Sequence, residues 1–492
     1  MKAVLLLIAL LVSPTAWANS MRVVAMPGSS PLVTFKIVFL TGAASDPAGK
    51  PGTANLTAAM LARGGSVKMP YRDIVDAMFP MATSVDHQVD KEMTTFSAVT
   101  HVDNLDSFYE LFRAMLLEPG WRAEDLKRLR DVAINAIRVN LRGNNDEELG
   151  KEVLYNLIYK GHPYGHLNMG TVSSLEKLAL DDLKAFYRSQ YTQANLILGI
   201  AGGYPPAFLD RVKKDFGSLP AGKPAAAKRP APAPIQGLQL HMVEKNTRSV
   251  AISFGFPMDV RRGHPDFLPL LVMQSWLGQH RASGGRLYDR MREARGLNYG
   301  DYAYIEYFPN GMFQFEPDPN LVRPQQIFQV WIRPLEPPTA HFGLRLALFE
   351  LDRMIRHGLT EEEFQRTRSF LSKQVNLLTR TKPAELGYAI DSLYYVIPDF
   401  NSYVKTGLAK LTRETVNQAI QKHLQARNMQ IVVIASGCQE LSKKLLAGEP
   451  SPMSYNSPKP GDILQEDKIV QSWKIDLKPE NVRIVPVDQV FE

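Results

Sequence analysis

Pro51-Gly-Thr-Ala-Asn-Leu-Thr-Ala-Ala-Met-Leu-Ala-Arg-Gly-Gly65 is the stretch whose reading decides how this chain folds. Residues 55–62 are mostly good helix formers, Leu56, Ala59 and Met60 recur at helical spacing, and Gly64-Gly65 closes the segment. Just upstream, Pro31 to Leu40 (PLVTFKIVFL) has the β-branched and aromatic content of a strand. Residues 41–52 between them carry the Gly, Asp and Pro of a turn. The order is strand, turn, small-residue helix.

Outward toward the N-terminus, Lys2, the apolar run Ala3 to Val12 and Ala16-Trp17-Ala18 form the three parts of an export signal. Residues 1–18 are therefore expected to be a signal peptide, with export to a bacterial periplasm. The apolar run is about half the roughly 20 residues that a membrane span needs, and no later stretch reaches that length. Outward in the other direction, Pro220 to Pro234 (PAGKPAAAKRPAPAP) has the composition of an extended linker, set at 220–236. It separates a first half, 19–219, from a second, 237–445, and a tail follows over 446–492. An internal repeat joins the halves at an offset of 233 residues: Leu178 falls on Leu411, Leu183 on Val416, Asn195 on Asn428 and Leu198 on Ile431. Each copy reads as an amphipathic helix, an Asn-containing turn and a strand. A looser pairing sets Pro119 to Leu126 against His357 to Phe364, each opening a long helix with an acidic first turn. The fold class is α+β, each half a sheet with helices on one face.

In the second half, Gly284 to Gly300 (GGRLYDRMREARGLNYG) reads as a charged helix over 286–294 with Leu287 and Met291 at i and i+4. Gly296 caps it, and an aromatic strand follows from Leu297. This block, together with GTANLTAAMLARGG, EPGWRAEDLKRLRDV and YKGHPYGHLNMGT, resembles the insulinase/pitrilysin metallopeptidases over residues 25 to 445. The resemblance implies two homologous metallopeptidase-like halves forming a clamshell. It also implies a pairing of chains, one with zinc and one without.

In that family the first helix carries H-x-x-E-H, two zinc-binding imidazoles and a general base. The matching residues here are Asn55, Ala58 and Ala59. The family's third ligand, a Glu about 76 residues on, falls at Asn135-Ala136. All four positions lack the required groups, so no metal and no catalytic residue is expected in the first half. Cofactors are none in this chain, with zinc expected in the partner subunit. The resemblance further assigns substrate binding and transition-state support for that partner to Arg292 and Tyr299. A guanidinium can clamp carbonyl or carboxylate oxygens, and a phenol can donate to a developing oxyanion. The bland alternative is a surface ion pair for Arg292 and core filling by Tyr299. The implied function is the non-catalytic, substrate-binding subunit of a heterodimeric zinc peptidase acting on peptides. The alternative is a peptide-binding scaffold with no part in hydrolysis.

Other features carry less. The formal charge of +7 is spread along the chain, which argues against nucleic acid as a partner. Cys438 is the single cysteine, excludes an internal disulfide and follows a strand-like run, so packing is its expected role. Asp86 to Glu92 mixes His and carboxylates where the family has a strand that pairs with substrate backbone. His162 to His166 (HPYGH) reads as a packing turn, and the tail as Pro-rich and then strand-like.

Overall fold

The computed structural model describes residues 21–224 and 229–492, so the export signal expected over 1–18 lies outside the described residues. The first half builds one sheet from β1 (Arg22–Pro27), β2 (Leu32–Phe39), β3 (Val85–Val89), β4 (Thr94–His101) and β5 (Leu196–Gly202), in the order β1-β5-β2-β4-β3. The second half builds another from β6 (Leu238–Glu244), β7 (Val250–Met258), β8 (Asp301–Tyr304), β9 (Gln326–Leu335), β10 (Met429–Ala435) and β11 (Leu477–Pro486), in the order β11-β6-β10-β7-β9-β8. Without β11 the two orders are the same. Leaving β11 aside, one pair in each sheet, β1 with β5 and β6 with β10, is parallel and the others are antiparallel. The 233-residue offset carries helix Leu180–Gln190 onto Arg413–His423 and β5 onto β10, residue for residue.

The central strands β2, β5, β7 and β10 are buried on both faces, and the period of two sorts their side chains. On β2, Val33, Phe35, Ile37 and Phe39 pack under helices of their own half, while Val38 turns the other way. There it meets Leu386 and Ile390 of helix Lys382–Tyr395, which belongs to the second half. Gly199 of β5 allows this approach, because a Cβ there would come within 2.8 Å of the Ile390 Cδ1. The reverse exchange holds on the second sheet. Val432 and Ile434 of β10 and Ala251 of β7 bury against Leu149, Val153 and Leu154 of the first-half helix Asp146–Ile158. Each half thus covers one face of its sheet itself and receives a helix from the other half on the second face.

The tail is part of both halves. It forms a helix, Gly461–Val470, that its composition did not announce, and then β11, which runs parallel to β6 and covers that sheet edge. Beyond β11 the chain crosses to the first half. Val490 and Phe491 join the core there, and the Phe491 and Glu492 carbonyls accept from the Val172 and Ser173 amides at 3.0 and 2.8 Å.

Candidate functional site

Helix Thr53–Arg63 stands where the strand, turn and helix reading put it, and its ligand positions are filled by packing. Ala58 is 0% exposed in the core under the first sheet, and Ala59 packs in one cluster with Leu126, Leu129 and Ala133 of the neighbouring helix. That neighbour, Ala123–Asn135, widens into a π-helical segment, Ala136–Gly143, at the place of the third ligand. Asn135 is exposed and Ala136 is half-buried. Among the described residues no three His, Cys, Asp or Glu side chains are grouped to hold a metal ion. Zinc does not fit this helix, which offers it an amide and two methyl groups at Asn55, Ala58 and Ala59.

The cleft between the halves is charged all the same. A cavity of about 560 Å³ is lined by His87, Asp90, Asn140 and Glu152 from one side and Tyr307 and Phe313 from the other. Burial and the neighbouring Glu148 push the Glu152 carboxyl up to about 7. Burial pushes His87 down to about 4, and its Nδ1 has no hydrogen-bond partner among the described residues. The Asp86–Glu92 segment contributes β3, an edge strand, and then three buried charges. Asp90 takes a two-point hydrogen bond from Arg323 of the second half, with Nε at 2.8 Å, and Arg323 lies 3.5 Å over the Tyr307 ring. Lys91 donates to the His166 carbonyl at 2.5 Å. Glu92 accepts from Arg229 at 2.7 and 2.8 Å, and from the Tyr164 hydroxyl. These carboxylates serve guanidinium groups. Arg229 comes from the 220–236 segment, whose described residues form neither helix nor strand, so one linker side chain is fixed in the first half. Neither the Arg323–Asp90 pair nor Glu152 was singled out from the sequence. Arg323 sits in a loop without a motif, and only the carboxylate density of residues 146–152 hinted at the second.

Arg292 and Tyr299 are brought together. The Arg292 Nη1 donates to the Tyr299 carbonyl at 3.0 Å, and its guanidinium lies 5.0 Å from the Tyr288 ring centre and 5.6 Å from that of Tyr299. Tyr299 is 76% exposed, which excludes core filling, and the closest carboxylate paired with Arg292 is its neighbour Glu293 at 4.0 Å. Their segment departs from the α-helix expected over 286–294: Tyr288–Glu293 is a π-helical turn. The reason is a competing donor. The Ala294 amide bonds back to the Asp289 carbonyl at 2.9 Å, which leaves the Arg290 carbonyl to the Arg295 guanidinium at 2.8 Å. Gly296 then turns the chain at a φ of 68°, and Asn298 ties it to β8 through Asp301 at 2.8 Å.

The remaining candidates are structural. Cys438 is fully buried, and burial together with Glu244 pushes its thiol up to about 12. His162 bonds the Pro230 carbonyl at 3.0 Å, and His166 lies 3.2 Å from Asp46. No helix among the described residues is long and apolar enough to cross a membrane.

A family model described as insulinase (peptidase family M16) matches residues 23–172, and one described as peptidase M16 inactive domain matches residues 177–371. An uncharacterized zinc protease of Bacillus subtilis is 24% identical over 267 residues, which is 53% of this chain and 62% of that protein. The chain thus spans less than two thirds of that relative's length. A non-peptidase homologue of Helicobacter pylori is 21% identical, over 66% of this chain and 71% of the relative. A peptidase M16 inactive domain from Pseudomonas fluorescens has the same fold, with a TM-score of 0.71 and 22% identity over 85% of this chain and 98% of that one. The vacant helix 53–63, the repeated sheet and these matches agree: the chain belongs to the insulinase family, peptidase family M16, as a member without the H-x-x-E-H zinc motif.

Proposed function

We propose that this protein is the exported, non-catalytic and substrate-binding subunit of a heterodimeric zinc peptidase that degrades peptides. Its partner is a homologous chain with an intact H-x-x-E-H, which supplies the zinc, the general base and the bond-breaking step. One observation carries the reading: a half-exposed Arg292 lies beside an exposed Tyr299, with no carboxylate nearer than Glu293, at 4.0 Å, paired with the guanidinium. A pair kept only for the fold would be buried or ion-paired. In the complex the Arg292 N–H groups clamp a peptide carbonyl or carboxylate, and the Tyr299 hydroxyl donates to the oxyanion that forms at the partner's metal.

The test is peptide hydrolysis by this chain reconstituted with the zinc-bearing homologue. Tyr299→Phe keeps the ring and removes one donor, so turnover should fall roughly a hundred- to a thousand-fold with the fold intact. Arg292→Ala should also raise KM, because a clamp acts in the ground state as well. Wild-type rates from both variants would leave the second reading, a peptide-binding scaffold. The polar cleft beside edge strand β3 is the observation that favours that one.

A further inference from the structure

The tail lies outside both matched family regions, yet it packs on the block that carries Arg292 and Tyr299. Helix Gly461–Val470 buries Ile463 and Val470 and presents Glu466 and Asp467 to the turn at 288–295. The Arg295 side chain is 0% exposed and all three of its nitrogens are engaged. Nε donates to Asp467 at 2.8 Å, Nη2 to Glu466 at 2.7 Å, and Nη1 to the Arg290 carbonyl at 2.8 Å. Glu466 also accepts from Arg290, whose other carboxylate partner among the described residues is Glu350, at 3.5 Å, and it meets Arg353 at the rim, also at 3.5 Å. The other Asp467 oxygen accepts from the Tyr455 hydroxyl, another tail residue, at 2.7 Å.

Charge balance makes the tail necessary to this turn. Glu350, wholly buried, already holds Arg286 at 2.8 Å. Arg290 and Arg295 add two positive charges, and the tail supplies the two carboxylates that neutralise them. A buried guanidinium stripped of its partners is strongly unfavourable, so the turn could not keep Arg295 inside without them. The third Arg295 bond ends on the Arg290 carbonyl, the acceptor that the π-helical register sets free. The tail therefore acts on the backbone from which Arg292 projects, seven residues before Tyr299.

We infer that Glu466 and Asp467 are positioning residues for the Arg292–Tyr299 pair: through Arg290 and Arg295 they hold the π-helical turn in the register that sets guanidinium beside phenol. The catalytic weight of this coupling rests on the function proposed above; the coupling itself does not.

The experiment uses the full chain with 3-fluorotyrosine at position 299, read by fluorine NMR, and amide exchange of residues 286–300 with helix 146–158 as internal control. Glu466→Gln/Asp467→Asn should shift the fluorine line toward that of free fluorotyrosine and speed exchange in 286–300 at least ten-fold, with helix 146–158 unchanged. Glu466→Asp, which keeps the charge, should stay close to the wild-type line. If the double variant fails to fold, Glu466→Gln alone is read in the same way. A fluorine line and exchange rates that stay at wild type would overturn the inference, as would uniform loosening of the whole chain. A merely structural tail would leave the fluorine line in place. Hydrolysis by Tyr299→Phe is a separate readout: activity at the wild-type level there defeats the proposed function and leaves the fluorine result standing.

Discussion

Glu152 sits among Glu148, Lys91, Arg323 and Lys151, and its carboxyl is raised from 4.5 to about 7, first by burial and then by Glu148. A carboxyl raised in the folded state holds its proton where the unfolded chain has lost it, so this group's contribution falls as pH rises from about 4.5 to about 7. Glu152→Gln removes that loss and can still accept from the Tyr307 hydroxyl. The variant should match wild type near pH 4.5 and exceed it by up to about 3 kcal/mol at pH 7.5, at about 1.4 kcal/mol per unit. Urea midpoints across that range test it, and a gap that narrows with rising pH would sink the assignment. The vacant zinc positions differ from each other in the same physical terms. Ala58→Glu would place a carboxylate without a partner at a fully buried site and should cost about 3–5 kcal/mol. Asn55→His, at a half-buried site, should stay within about 0.5 kcal/mol. Equal urea midpoints for the two variants would show that Ala58 is not sealed in the core. The metal site cannot be regained one residue at a time, since the step that restores the base is the one the fold resists.

At the scale of elements, helix Lys382–Tyr395 tests the exchange between halves. Ile390 is 0% exposed against Val38, Ile197 and Ala201 of the other half's sheet. Ile390→Ala should cost about 2–5 kcal/mol and speed amide exchange in β2 and β5, strands of the half it does not belong to. Loosening confined to the second half would contradict the packing. This exchange was not legible in the sequence. A strand buried on both faces and a helix buried on one look the same whichever half supplies the cover. The repeat was legible, because helix 180–190 with β5 and helix 413–423 with β10 are local units whose periodicity survives in each copy. The absent zinc ligands were legible too, since an absence at fixed spacing needs no tertiary information. The π-helical turn at 288–293 was not. It depends on the Arg295 guanidinium taking a main-chain carbonyl, and Arg295 stays buried only because two carboxylates more than 170 residues away neutralise it. The tail helix was hidden for a related reason: the buried Ile463 and Val470 and the ion-paired Glu466 and Asp467 gain their meaning from the surface that receives them.

For the whole molecule, the two exchanged helices, the Asp90–Arg323 pair and the crossing at 487–492 make the halves one cooperative unit despite their repeated topology. A repeat usually invites the expectation that one copy can fold alone, and here the packing argues the opposite. A fragment of residues 21–224 would expose Leu149, Val153, Leu154 and Ile158 on helix 146–158 and uncover the Val38, Ile197 and Ala201 face of its sheet. It would also leave Asp90, 0% exposed in the full chain, without Arg323. Each buried aliphatic side chain is worth about 1.5–3 kcal/mol, so the loss approaches the 5–15 kcal/mol that hold a typical domain folded. The fragment should therefore show no cooperative urea transition, whereas the full chain should unfold in one, seen alike by tryptophan fluorescence and circular dichroism. Co-expressed with residues 229–492, it should recover protection in helix 146–158 to amide exchange, because the cover is supplied by contacts and not by the linker. A fragment that unfolds cooperatively alone, with helix 146–158 protected, would mean that the exchanged helices are decoration on two independent domains.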